Sequence, residues 1–127
     1  MSKLVEIEGL EEIIRSHIVT DHEKMHSVAY IDLELHAPGK AKVGGKEIQV
    51  DHEYLLVFID LQPGANWMHP CSYLIIDPAT RKVTRIDSIQ PPVFGALPST
   101  WRVVWRSPEI SDWQLFPIST SPDHKSP

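Results

Sequence analysis

Cysteine is nearly absent: the 127 residues hold one, Cys71. A single thiol excludes an intramolecular disulfide framework and agrees with a reducing compartment, so the expected location is the cytoplasm. Long apolar runs are missing too. The longest, Tyr54–Ile59, is six residues, where a membrane-spanning helix needs about twenty. The opening MSKLVEIEGLEE is acidic and has no apolar stretch of the kind a secretory signal needs. Basic residues are scarce in the first half: residues 1–60 carry twelve acids against six bases, residues 61–127 five against six, and the whole chain is at −5. That balance disfavours nucleic acid as a partner. A glycine-rich phosphate loop and a G-x-S-x-G elbow are both lacking, which removes two common routes to phosphate and acyl chemistry.

What is present is strand pattern. Tyr54–Ile59 is apolar at both side-chain parities, the mark of a strand covered on both faces. Residues 71–77 and 82–89 flank Asp77-Pro78-Ala79-Thr80-Arg81, where Pro78 presets φ and Asp77 can cap the turn, so a hairpin is expected. From Val28 to His36 polar and apolar residues alternate, as in a half-buried strand. Gly44-Gly45 offers a tight turn before Lys46–Val50. Leu4, Val5 and Ile7 suggest a short edge strand, and Leu10, Ile13, Ile14 and Ile18 fall at helical spacing behind Glu11 and Glu12. Residues 20–27 read as a polar connection. Seven of the eleven prolines lie in 91–127, which excludes regular helix there and leaves one strand, Trp101–Arg106, followed by an apolar patch at Trp113, Leu115 and Phe116. The expected class is α+β: a short N-terminal helix packed on an antiparallel sheet of about five or six strands. The compact domain is expected to span 1–116, with 117–127 as a flexible C-terminal tail.

Three groups carry candidate chemistry. His22-Glu23-Lys24-Met25-His26 matches H-E-x-x-H, which on a helix puts two imidazoles on one face for zinc; Lys24 and the strand that starts at Val28 argue against that use, leaving His22 and His26 as a weak metal pair. His69 and Cys71, two apart on an extended segment, point the same way and would form a nucleophile and base or a zinc chelate, although a lone cysteine opening an apolar strand is more often a small buried hydrophobe. The ten-residue loop 61–70 offers Asn66, Trp67, Met68 and His69, a mixture suited to contact with a partner, and Trp101, Arg102, Trp105 and Arg106 form a second aromatic and basic group. As a strand, this last group would put both tryptophans on one face and both arginines on the other. The function indicated is a small soluble non-enzymatic interaction module using the 61–70 loop and the adjacent aromatic strand, its partner another protein, with self-association through open sheet edges as a further possibility. The alternative is a thiol- or zinc-dependent enzyme centred on His69 and Cys71.

Overall fold

A computed structural model of the chain describes residues 9–18, 20–66 and 68–119, apart from the side chain of Asp21. Among these the fold is rich in sheet and poor in helix, so only the coarse form of the expected class applies. Seven strands, β1 (Val28–His36), β2 (Gly39–Val43), β3 (Lys46–Val50), β4 (Tyr54–Asp60), β5 (Cys71–Ile76), β6 (Val83–Ser88) and β7 (Trp101–Arg106), accompany two six-residue helices, α1 (Leu10–Arg15) and α2 (Asp21–His26). The strand proposed at Leu4, Val5 and Ile7 lies outside the described residues.

Five strands form one antiparallel sheet in the order β6-β5-β4-β1-β7, and β2 pairs with β3 in a separate hairpin. The uninterrupted apolar strand β4 is at the centre, because both of its faces have a cover. On one face Leu10 and Ile14 of α1, with Ile18 just beyond, pack on Ala29, Ile31, Leu55, Val57, Leu74 and Ile76. On the other, Val43 and Val50 of the β2–β3 hairpin join Tyr54, Phe58, Tyr73 and Ile75. Each fully buried aliphatic or aromatic side chain here contributes roughly 1.5–3 kcal/mol over its exposed state. This double cover corrects the half-buried reading of β1: Val28–Asp32 is buried at every position, and the far end, Leu33–His36, is part-buried throughout.

Local chemistry shapes the connections. Gly44 and Gly45 have φ of 58° and 81°, the two positive values that a two-residue type I′ hairpin turn requires. The tip then lies against the main sheet, where Ser88 Oγ donates to the Gly44 carbonyl at 2.7 Å. In the β5–β6 hairpin Asp77 Oδ1 accepts from Ala79 N–H at 2.8 Å, closing the turn as its sequence suggests. The supposed polar connection before β1 is instead α2. Thr20 caps it, its hydroxyl accepting from Glu23 N–H at 3.0 Å, which satisfies one of the donors a helix start leaves open.

The expected alternation of β7 fails for a definite reason. Ala29 sits opposite Trp105 and Tyr30 opposite Val103, so one residue of β7 is unmatched. A bulge of this kind flips all that follows to the other face. Trp101 therefore joins the core cluster under the hairpin, while Trp105 packs half-buried on the α1 side. Arg102 and Arg106 stay exposed, Arg102 donating to the Ser99 carbonyl at 2.6 Å and Arg106 to Asp112 at 2.8 Å.

Candidate functional site

The site grows from the end of β4. Asp60 closes that strand, paired in register with Val28 and Cys71, and its Oδ1 accepts the Gln62 N–H at 3.0 Å, which turns the chain into the 61–70 loop. The loop returns through Met68, whose φ of 77° is costly for a residue with a Cβ, and delivers His69 beneath it. His69 Nε2 lies 2.7 Å from Asp60 Oδ1 and Nδ1 2.9 Å from the Asn66 carbonyl. A carbonyl only accepts, which assigns a proton to Nδ1; the second proton is shared between Nε2 and the carboxyl. Both side chains are buried, Asp60 at 3% and His69 at 5% exposure.

Burial holds the Asp60 carboxyl above the usual range, and the bonds from Gln62 and His69 offset this only in part. Asp32 makes a similar pair with His36, 2.8 Å apart, yet its carboxyl is lowered. Desolvation is the largest influence there too, but hydrogen bonds from His36, Thr100 and the Glu34 N–H together outweigh it. The difference is the number of donors. Asp60 takes both of its bonds on one oxygen, and Oδ2 receives none from the described residues.

Beside Asp60 opens a groove of about 460 Å³, within the range of ligand-binding clefts. Gly64 and Ala65 of the loop form one side and Phe94, Trp113 and Leu115 the other. The second side is fixed by long-range bonds. Phe116 N–H donates to Tyr30 Oη at 2.6 Å, and the Phe116 ring meets Phe58 and Tyr30 edge to face, at centroid separations of 5.9 and 6.4 Å. A short 3₁₀ turn, Asp112–Gln114, is closed by a capping box between Ser111 and Gln114. Gln114 Nε2 also donates to the Pro63 carbonyl at 3.2 Å, joining the two sides. Pro117–Ser119 continues into a parallel bridge with Leu97, the Ser119 N–H donating to the Leu97 carbonyl at 2.8 Å. Phe94 and Trp113 remain 87% and 75% exposed.

The candidates from the sequence fall in different places. Asn66 and Met68 are exposed on the loop and His69 is buried beneath it; Trp67 lies outside the described residues. His69 and Cys71 are not joined by a hydrogen bond: the imidazole faces Asp60 and Asn66, whereas Cys71 Sγ donates to the Gln90 carbonyl at 3.3 Å, an acceptor it shares with Tyr73 Oη at 2.6 Å. The His22 and His26 rings lie tilted by 35° on α2 with centroids 4.7 Å apart, and the described residues contain no group of three or more His, Cys, Asp or Glu able to hold a metal. No described helix is long and apolar enough to cross a membrane. Asp60, Phe94 and the exposure of Trp113 escaped sequence reasoning. The available signal was an acid ending an apolar strand and aromatics set among Pro92, Gly95 and Pro117, where no regular strand would bury them.

Burial pushes the Cys71 thiol from 9.0 up to about 12 and raises the Tyr30 and Tyr73 hydroxyls as well. The folded state thus binds these protons more tightly than the unfolded state. Their contribution is complete below the unfolded values and is lost as pH rises toward the folded ones. Stability is expected to fall above about pH 9, Cys71 alone contributing about 1.4 kcal/mol per pH unit. Thermal melts of wild type and Cys71→Ala across this range test the point; equal alkaline slopes in the two proteins would refute the role given to the thiol.

Comparison with known proteins adds no relative to this geometry: no family model, no curated protein and no solved structure matches the chain.

Proposed function

We propose that the chain is a non-enzymatic interaction module and that it binds a segment of another protein in the groove between the 61–70 loop and the Phe94 and Trp113 segments. The observation that carries this reading is the pair of large aromatics left exposed along a concave surface. Leaving two such rings in water forgoes stabilisation that burial would give, and a partner that covers them recovers it. Large aromatic side chains, once a partner covers them, are also frequent centres of binding energy in protein interfaces. The committed hydrogen bonds of His69 and Cys71 favour binding over nucleophilic chemistry at this end of the sheet.

Selection of random displayed peptides against the folded protein tests the proposal. Enriched peptides are expected to bind wild type and to lose at least about tenfold in affinity, roughly 1.4 kcal/mol, on Trp113→Ala or Phe94→Ala. Phe94→Ala should melt close to wild type, since truncating an 87% exposed ring costs little, whereas the Trp113 ring rests against Gly64 and its affinity loss is read alongside its own melt. A library that yields no binders, or peptides indifferent to both substitutions, would count against the groove.

A further inference from the structure

The floor of the groove specifies the group that belongs in it. We infer that the groove receives a lysine side chain of the partner segment, its ammonium on Asp60 Oδ2 and its methylene stem against Phe94 and Trp113; this rests on the groove being the protein-binding site. Asp60 is the sole ionisable residue among the described residues that line the cavity. Its Oδ1 is saturated by Gln62 N–H and His69, and Oδ2 has no donor among the described residues. Among the described residues no buried side-chain oxygen lacks a partner, so Oδ2 is not sealed from solvent, and the groove is the cavity that Asp60 lines. A nearly buried acceptor left open beside an apolar cleft calls for a donor from outside.

The identity of that donor follows from charge and geometry. A hydrogen bond from a cation to a carboxylate is about twice as strong as one between neutral groups, and among the described residues no base lines the groove to repel a cation. The two exposed rings add attraction for a positive charge held over their faces. Arginine gains its advantage by a two-point grip on a carboxylate. Here one oxygen is already occupied, so a single-point ammonium fits better.

Titration of isotope-labelled protein with n-butylammonium, n-butylguanidinium and n-butanol, followed at the Gly64 and Gly95 amides and the Trp113 indole N–H, tests the inference. The ammonium is expected to saturate in the millimolar range and to bind at least about fivefold tighter than either other probe, a difference near 1 kcal/mol. Asp60→Asn is expected to bring the ammonium down to the level of the alcohol. Butanol or butylguanidinium binding as tightly as the ammonium would overturn the inference, as would shifts from none of the three or unchanged affinity in Asp60→Asn. Should that variant fail to fold, the ranking of the three probes on wild type decides. Selected peptides that depend on Trp113 but carry no lysine would refute the lysine while leaving the groove standing; indifference to Trp113 and Phe94 would remove the groove itself.

Discussion

Gly44→Ala is expected to destabilise the protein by about 3 kcal/mol, lowering its melting temperature by about 10 °C. Two costs add. A Cβ at this position would lie 2.7 Å from Cε1 of Tyr73 and 2.8 Å from Cβ of Ser88, closer than packed atoms tolerate, and overpacking a filled interior costs about 1–3 kcal/mol. Alanine must also hold φ near 58°, at about 1–2 kcal/mol. Gly39→Ala separates the two. Gly39 has φ of 140° but nothing within 4 Å of a built Cβ, so it carries backbone strain without the collision. Chemical denaturation of both variants provides the comparison. A loss below about 1 kcal/mol for Gly44→Ala would mean that the hairpin tip does not press on β5 and β6.

His69→Ala is the second large effect, expected at about 3–5 kcal/mol, because it leaves a buried carboxyl without its partner. The loss should depend on pH in a defined direction. Burial already raises the Asp60 carboxyl, and His69 is one of two groups that pull it back. Without the imidazole the folded value rises further above that of the unfolded chain. A raised carboxyl favours the folded state below the unfolded value and loses that contribution as pH rises through the folded one. The variant should therefore be closest to wild type near about pH 4 and furthest at neutral pH. Adding Asp60→Ala removes the stranded group and is expected to recover part of the loss, giving a coupling above about 1 kcal/mol in a double-mutant cycle. A cost below about 1 kcal/mol for His69→Ala, or two losses that simply add, would mean that the pair does not act as a unit.

Much of the sheet was legible in the residues. The six apolar residues from Tyr54 to Ile59 imply cover on both faces, and the central place of β4 supplies it. Asp77-Pro78 and Gly44-Gly45 announce their turns because carboxylate capping and positive φ are local properties. The features that stayed hidden depend on partners far along the chain. Val103 and Val104 are the same residue type, and only the register against β1 reveals that β7 has one residue too many. Helix α2 is too short to show a periodicity, so Thr20 was its main signature. The groove is assembled from Gly64, Phe94 and Trp113, residues in three separate irregular segments whose proximity no spacing encodes. Asp60 looks like a residue that ends a strand, and it does end one; its open oxygen becomes visible only once the other side of the groove is in place.

The hydrogen bond from Phe116 to Tyr30 spans 86 positions of sequence, and this dictates when in the life of the molecule the groove can exist. A chain emerging from the ribosome presents β1, β4 and β5 long before residues 113–116. A nascent sheet at that stage has Asp60 and the loop but only one bank of the cleft. A truncated product ending before residue 113 would lack Trp113 and Phe116, and with them that side of the groove.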